Sequence, residues 1–291
     1  MKELSLTSPA KINLFLNVLE RMPDGYHRIE TLFERISLCD DISFTLLKKG
    51  RLEVVMEGAP GVPRQEDNLA FRAARLLKAH LGISAGARIR VAKRIPIGAG
   101  LAGGSSNAAT TLEGLCRLWS LSVPHEVLMA LGASLGADVP FFVSGASRAI
   151  GRGRGDEIEP VRGSARFWYV LVTPNVIVRT KEIYEKWEHT FSLTTGRDRL
   201  TLIACAVREG DLLRLGNALY NSLEPITAQC IKDIDLIKGA LLHQGARYAL
   251  MSGSGPTVFG IADDEGHAGD IARNLASLNK NWRVTCAHSI I

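Results

Sequence analysis

The chain has 291 residues, of which 46% are hydrophobic and 22% charged, and this composition excludes an intrinsically disordered or fibrous protein. Its formal net charge of +5 comes from basic residues scattered among acidic ones, which favours a small polyanionic substrate over a nucleic acid partner. The length is sufficient for two ordinary domains, each with its own core.

Patterns typical of a membrane span or a structural metal are missing from the sequence. The apolar stretch over residues 12–19 is short and is interrupted by Asn13 and Asn17, so we expect a cytoplasmic protein with no membrane partner. The histidines form no HExxH pattern, and the cysteines form no CxxC pair. We therefore expect no structural metal, and reduced, mostly buried thiols at the five cysteines, which stand at positions 39, 116, 205, 230 and 286.

The first elements follow from the spacing of apolar residues. Residues 4–19 alternate as a strand and lead into a turn at residues 23–25, after which further strands are predicted. Asp67 or Asn68 is expected to cap a helix whose apolar residues keep the helical period, and Gly82 is expected to stop that helix.

A glycine-rich run follows, between a predicted strand and a predicted helix. Residues 88–95 alternate apolar and basic positions as a strand does, and apolar residues within 108–119 fall on one helical face. The run between them, residues 96–106, reads PIGAGLAGGSS. A helix start offers unpaired N–H groups, and glycine lets that backbone approach an anion, so the pattern predicts a phosphate-binding loop. Ser105 and Ser106 add hydroxyl donors and a candidate N-cap.

Two known loop signatures can be compared with this run. A Walker A loop is excluded, because it needs a lysine beside its terminal serine or threonine. Gly98, Gly100 and Gly103 do spell GxGxxG, as in dinucleotide-binding folds, but the predicted continuation is more helix and not a strand ending in an acidic residue. A plain flexible turn is the remaining alternative.

The later elements are predicted in the same way. A helix is expected over residues 124–135, followed by the segment LGADVPFF, where Asp138 stands between Gly136 and Pro140 at an element boundary. After Gly155 a strand is expected near residues 167–172, and helices are then predicted over residues 200–208, 212–222 and 228–243. The turn SGSGP is expected to join strands 248–251 and 257–261, ahead of a final helix and strand.

Three separated segments together resemble the GHMP kinase superfamily: SPAKINLFLNV, PIGAGLAGGSSNAAT and MSGSGPTVFG. Within it, PDGYHRIETLF, DNLAFRAARLL and LGADVPFF resemble, in this order, the family that phosphorylates the 2-hydroxyl of the methylerythritol moiety of a diphosphocytidyl substrate. The resemblance implies ATP as phosphoryl donor, magnesium with the ATP, and a role in the non-mevalonate route to isoprenoid precursors.

The same resemblance implies the fold class. It is a two-lobe α+β GHMP kinase fold, with mixed sheets, packed helices and an active-site cleft between the lobes. With a boundary near Pro160, we expect an ATP-binding and catalytic domain over residues 1–160 and a C-terminal GHMP kinase domain over residues 161–291 that contributes to the substrate site.

Two residues are implied as catalytic. In the pattern that this sequence resembles, Asp138 accepts the proton of the substrate hydroxyl, and Lys11 approaches both that hydroxyl and the γ-phosphate. Taken alone, Lys11 reads as an exposed strand lysine and Asp138 as a helix-capping acid.

The resemblance assigns the nucleotide to the glycine-rich loop. The implied loop contacts are Pro96, Ile97, Gly98, Ala99, Gly100, Leu101, Ala102, Gly103, Gly104, Ser105 and Ser106, with Ser105 or Ser106 near magnesium. Ala99 and Ala102 stand where glycine is frequent in the pattern, so neither is expected to need a positive φ angle. Asn68 and Lys93 match adenosine contacts, although a helix cap and an ordinary strand lysine are the plain alternatives.

The substrate residues follow from what cytosine needs, namely stacking and hydrogen bonds. Tyr26 and His27 fit that need, and Tyr184 is a candidate for the opposite aromatic face. Asn13 is a candidate hydrogen-bond partner of the substrate. Gly253 and Ser254 of the second glycine turn are expected to help shape the site.

Other functions remain open at this point. A GHMP kinase acting on homoserine, mevalonate or a sugar would lack the paired Tyr26 and His27. A dinucleotide-dependent oxidoreductase would explain GxGxxG, but not Lys11 or Asp138. A catalytically silent nucleotide-binding protein is the third alternative. For the kinase that the sequence resembles, a monomer or a homodimer is expected.

Overall fold

The computed structural model describes residues 3–48, 50–58, 65–190 and 197–291, and within these ranges the chain forms both strands and helices. The strands are β1 Glu3–Arg21, β2 His27–Leu47, β3 Leu52–Glu57, β4 Gly86–Ala92, β5 Arg148–Arg152, β6 Glu157–Pro160, β7 Trp168–Pro174, β8 Tyr220–Asn221, β9 Tyr248–Met251, β10 Val258–Ala262 and β11 Trp282–His288. The helices are α1 Leu69–His80, α2 Gly103–Trp119, α3 His125–Leu135, α4 Val139–Val143, α5 Thr180–Thr190, α6 Arg197–Glu209, α7 Leu212–Ala218, α8 Glu224–Cys230, α9 Asp233–His243 and α10 Glu265–Leu278.

The chain divides into two compact units that are discontinuous in sequence. The first consists of residues 1–10, 39–97 and 102–146, and the second of residues 11–38, 98–101 and 147–291. The long strands β1 and β2 each contribute to both units. The expected boundary near residue 160 follows chain order and stays a prediction.

In the first unit, antiparallel pairing joins the end of β2 to β4, and β3 adds to β4 in parallel. Helices α1 and α2 supply the core with short side chains, and Ala70, Ala73 and Ala108 are all fully buried. Small residues at these positions let the two helices approach closely. Leu112 and Leu115 complete the buried face of α2 that the sequence predicts.

In the second unit, β11, β7, β10 and β9 form a four-stranded antiparallel sheet in that order. Every residue of β10 is buried. A run buried on both faces shows that the sheet is covered on each side. Helices α9 and α10 contribute Ile237, Leu241 and Ile271 to the same hydrophobic cluster as Val172 and Val258.

A fully buried ion pair ties three strands of the second unit together. The Arg148 Nε on β5 donates to Glu34 Oε1 on β2 at 2.5 Å, and the Tyr169 hydroxyl on β7 donates to Glu34 Oε2. Arg148 also donates to the carbonyls of Gly163 and Ala165, at 3.3 and 2.5 Å. Burial, with the adjacent Glu34 carboxylate, raises the pKa of the Tyr169 phenol well above its ordinary value. The phenol therefore stays a hydrogen-bond donor at neutral pH.

Most predicted elements are confirmed, with differences at their ends. The strand expected over residues 88–95 ends at Ala92, because the N–H groups of Arg94 and Ile95 donate to the Asp40 side chain and not to a neighbouring strand. The helix expected between Asn68 and Gly82 is α1, and Asn68 caps it by accepting from the N–H of Ala70 at 2.9 Å.

In the C-terminal half, two predictions are wrong and one helix was missed. The helix expected over residues 212–222 ends at Ala218, because residues 220–221 pair with β1 as strand β8. The helix expected over residues 228–243 is two helices, α8 and α9. Helix α5 was not predicted at all.

The cysteines are free, as expected, but of the five only Cys116 is buried, so the expectation of mostly buried thiols is wrong. Partial burial and the nearby Asp40 and Asp41 carboxylates raise the pKa of the Cys39 thiol to about 11. No helix among the described residues is long and apolar enough to cross a membrane.

Candidate active site

The glycine-rich loop adopts the backbone expected of an anion-binding turn. Gly98 and Gly100 have φ angles of +66° and +76°, a region that favours glycine. The loop opens helix α2 at Gly103, and the first N–H groups of a helix have no acceptor within it. These donors and the positive end of the helix dipole favour a bound phosphate.

Two expectations about this loop are corrected. Ala99 has no positive φ angle, as expected, but Ala102 does, at +53°, because it occupies the N-cap position of α2 in a left-handed conformation. Ser105 and Ser106 are therefore not N-caps and lie inside the first turn of the helix. Ser106 is fully buried, and its Oγ lies 2.8 Å from Ser8 Oγ, whereas Ser105 is partly exposed.

The carbonyl of Gly100 is the point where three motifs of the second unit meet. Lys11 Nζ donates to it at 3.1 Å, and Ser252 Oγ donates to it at 3.0 Å. The Lys11 N–H donates to the next carbonyl, that of Leu101, at 3.1 Å. A Cβ at Gly100 would lie 2.1 Å from the Ser252 carbonyl oxygen, so only glycine permits this approach.

Lys11 is not the exposed strand lysine of the plain alternative, because it is only 4% exposed. Its Nζ donates to Asn13 Oδ1 at 2.6 Å and lies 5.6 Å from the centre of the Phe33 ring. Asn13, itself buried, uses its Nδ2 to donate to Thr31 Oγ1 at 2.8 Å. Both ends of the Asn13 amide thus have protein partners, and its predicted contact with substrate stays a prediction.

The second glycine turn lies against these residues, and its predicted part in the substrate site stays a prediction. Gly253 has a φ angle of +58°, and a Cβ there would be 3.4 Å from Lys11 Nζ. Asn221 Nδ2 donates to the Gly253 carbonyl at 2.8 Å, and Ser254 Oγ lies 2.9 Å from Thr180 Oγ1. The turn is therefore held from both sides by side chains of its own unit.

Asp138 lies in the first unit, at the N-cap position of α4. Its carboxylate makes no capping hydrogen bond, so the plain alternative of a capping acid is wrong. The residue is partly exposed.

Lys93, a predicted adenosine contact, is buried in an ion pair with Asp40. Lys93 Nζ also donates to Asn107 Oδ1 at 3.2 Å, and Asn107 Nδ2 donates to Asp40 Oδ2 at 2.9 Å. The other oxygen of Asp40 accepts from the N–H groups of Arg94 and Ile95 at 2.7 and 2.8 Å. One carboxylate therefore fixes the chain both before and after the glycine-rich loop.

The predicted substrate aromatics come together in the second unit. The rings of His27 and Tyr184 have their centres 5.4 Å apart, and Trp187 meets His27 edge-on at 5.8 Å. His27 is buried, whereas Tyr26 is 55% exposed and carries the Arg154 guanidinium 5.2 Å from its ring centre. An exposed tyrosine beside a cation offers a stacking surface for a planar ring.

The sequence interpretation missed four residues that contact this machinery: Thr31, Asp40, Trp187 and Ser252. Ser252 belongs to the SGSGP turn and could have been singled out with its neighbours. Thr31 lies two residues from Ile29 and two from Phe33, so all three side chains point to the same face of strand β2. This spacing is the only sign in the sequence that the Thr31 hydroxyl would be buried. Among the described residues, no group of three or more His, Cys, Asp or Glu side chains is placed to hold a metal ion.

Comparison with known proteins gives consistent matches. The family model described as the GHMP kinases N terminal domain matches residues 68–146, and the one described as GHMP kinases C terminal matches residues 203–281. A curated 4-diphosphocytidyl-2-C-methyl-D-erythritol kinase of Alkaliphilus metalliredigens (strain QYMF) is 41% identical over 99% of this chain and 98% of its own length.

Solved structures agree in fold. The crystal structure of a 4-(cytidine 5'-diphospho)-2C-methyl-D-erythritol kinase matches with a TM-score of 0.81 and 34% identity, over 98% of each chain. The homoserine kinase from Cytophaga hutchinsonii ATCC 33406 matches with a TM-score of 0.76 over 100% of this chain and 96% of its own, but at 17% identity. The second match is a likeness of fold alone.

The buried Asp40 gives a stability prediction with a matched control beside it. Asp40→Asn removes the countercharge of a buried lysine, so we expect the free energy of unfolding to fall by about 3–5 kcal/mol. Asp41 is half exposed and pairs with exposed Arg94, so Asp41→Asn should change it by less than about 1 kcal/mol. Urea unfolding of both variants measures the difference, and equal losses would contradict the assigned role of Asp40.

Proposed function

Since this chain belongs to the GHMP kinase family and aligns over its whole length with 4-diphosphocytidyl-2-C-methyl-D-erythritol kinases, we propose that it transfers the γ-phosphoryl group of ATP to the 2-hydroxyl of 4-diphosphocytidyl-2-C-methyl-D-erythritol. The product would enter the non-mevalonate route to isoprenoid precursors. The proposed location is the cytoplasm, and the proposed assembly is a monomer or a homodimer.

Phosphoryl transfer needs positioning and charge neutralisation more than covalent chemistry. In the proposed mechanism the substrate hydroxyl donates its proton to the Asp138 carboxylate as its oxygen attacks the γ-phosphorus. The Lys11 ammonium, held by Asn13 Oδ1 and the Gly100 carbonyl, stabilises charge on the attacking oxygen and the phosphoryl group. The bond to the β-phosphate oxygen then breaks, and ADP leaves with that electron pair.

The proposed phosphate site is the loop over residues 96–106. Its support is the first turn of α2, whose N-cap residue Ala102 makes no side-chain cap hydrogen bond, and the positive φ angles of Gly98 and Gly100. Asn68 stays a candidate adenosine contact: its oxygen is used by the helix cap, and its amide nitrogen takes no part in that cap. Lys93 can contribute to the nucleotide site only indirectly, since its ammonium is engaged by Asp40 and Asn107.

At the first turn of α2, magnesium would bind only together with ATP. The candidate protein ligand there is a hydroxyl, and magnesium usually binds through one or two protein oxygens together with substrate phosphates. Ser105 is the better candidate, because Ser106 is fully buried against Ser8. The metal would neutralise phosphate charge when bound.

Cytosine recognition is proposed for the aromatic group of the second unit. Tyr26 offers an exposed ring, and His27 and Tyr184 lie in mutual contact. Gly253 and Ser254 would shape the same site from the turn beside Lys11.

The competing functions explain less of the structure. A dinucleotide-dependent oxidoreductase would place GxGxxG in a parallel βαβ unit, whereas the helix after this loop, α2, is followed by helices α3 and α4 and not by a parallel strand. A catalytically silent nucleotide-binding protein would not need a buried lysine, whereas Lys11 is buried and donates to the Gly100 carbonyl and to Asn13. The convergence of three motifs on the Gly100 carbonyl is the single observation that carries the kinase proposal.

A substrate panel tests the proposed activity. The purified protein with ATP and magnesium should form a new phosphomonoester, seen by phosphorus NMR, on 4-diphosphocytidyl-2-C-methyl-D-erythritol. Methylerythritol phosphate, which lacks the cytidine, as well as homoserine, mevalonate and galactose, should give none. Phosphorylation of another compound would reject the cytosine site and keep the kinase, and no turnover at all would favour the silent binder.

The catalytic assignment is tested by two substitutions. Asp138→Asn removes the proton acceptor, so we expect kcat to fall by about 10²-fold or more while ATP still binds. Lys11→Ala should lower kcat by a comparable factor, about 10²-fold, because it removes preorganised positive charge. Lys181→Ala and Asp235→Asn serve as controls, because they make the same two types of substitution at exposed positions outside the proposed site. A kcat within about threefold of wild type for either catalytic variant would reject its role.

A further inference from the structure

A buried threonine on β2 is hydrogen-bonded to the residue that holds Lys11. Thr31 is fully buried in the second unit, and its hydroxyl makes two hydrogen bonds. Its Oγ1 donates to the Phe15 carbonyl at 2.6 Å and accepts from Asn13 Nδ2 at 2.8 Å. The single hydroxyl hydrogen is used by Phe15, so towards Asn13 the Thr31 oxygen can only accept.

This constraint fixes which way the Asn13 amide points. An asparagine side chain has one accepting and one donating end, of nearly equal shape, and either can face a neighbour. Because the acceptor at Thr31 requires Nδ2, the carbonyl end Oδ1 must face the other way, where Lys11 Nζ donates to it at 2.6 Å. The reversed amide would point its N–H groups at the Lys11 ammonium, and two donors would meet.

We propose that Thr31 is a positioning residue of this kinase: by accepting from Asn13 Nδ2, it orients Asn13 Oδ1 to hold the Lys11 ammonium for phosphoryl transfer. The inference rests on the proposed function. Thr31 is fully buried and acts through Asn13, so it touches neither nucleotide nor substrate in this account. Its backbone partner, the Phe15 carbonyl on β1, anchors the arrangement to the sheet that also carries Lys11 and Asn13.

The test compares Thr31→Val with Thr31→Ser. Valine has the shape of threonine but cannot accept from Asn13, so kcat should fall by about 10-fold or more, with the dissociation constant of ATP within about twofold of wild type. Serine keeps the hydroxyl, and its kcat should stay within about threefold of wild type. Thr31→Ala replaces Thr31→Val if the valine variant does not fold.

A double-mutant cycle separates positioning from a general structural effect. In an Asn13→Ala background, Thr31→Val should cost less than about twofold in kcat, because the group through which Thr31 acts is gone. The same loss in both backgrounds, or equal losses for the serine and valine variants, would overturn the proposal.

The cycle is also read by urea unfolding, which needs no substrate. The shifts in unfolding midpoint caused by Thr31→Val and Asn13→Ala should be strongly non-additive, and additive shifts would overturn the contact itself. If wild-type protein phosphorylates none of the candidate substrates, the proposed function fails, while this unfolding cycle still decides whether Thr31 and Asn13 are coupled.

Discussion

The carbonyl oxygen of Gly100 is the interaction on which the rest of the candidate site depends. It accepts from Lys11 Nζ and from Ser252 Oγ, and so joins the first strand, the glycine-rich loop and the second glycine turn within one unit. This approach is possible because residue 100 has no side chain, since a Cβ would lie 2.1 Å from the Ser252 carbonyl oxygen. The same contact positions Lys11. Hydrogen bonds from Lys11 to Asn13 and from Asn13 to Thr31 then connect this lysine to strand β2.

The loop is held in place by hydrogen bonds to its backbone and to its flanking residues. In the second unit its backbone bonds to Lys11 and Ser252, and in the first unit the Asp40 carboxylate binds the chain on both flanks of the loop. A loop fixed in this way can consist of glycine and small apolar residues and still present ordered N–H groups. Preorganised donors of this kind need no reorganisation when charge develops during phosphoryl transfer.

Much of this could be predicted from the sequence, and the failures have physical causes. The glycine loop and the cap at Asn68 follow from local patterns, whereas the direct contact of His27 with Tyr184 was not predicted. The sequence predicted functional roles for Lys11 and Lys93. It could not predict that Lys93 is paired with Asp40, because the two residues are 53 positions apart and meet only in the folded chain. Likewise, strand pairing with β1 at residues 220–221 replaced the end of a predicted helix, because tertiary contacts override local propensity. The left-handed Ala102 was missed since alanine gives no sign of a positive φ angle.

The most direct measurement is the kcat of Gly100→Ala beside that of Gly98→Ala. Both glycines have a left-handed φ angle, so an alanine strains the backbone in both. Among the described residues, however, a Cβ at residue 98 would meet only the Ile177 side chain, at 3.5 Å. We predict that Gly98→Ala stays within about 10-fold of wild type, a backbone cost of order 1 kcal/mol, while Gly100→Ala falls at least about 10²-fold further with the fold intact. Equal kcat values for the two folded variants would contradict the central role of the Gly100 carbonyl.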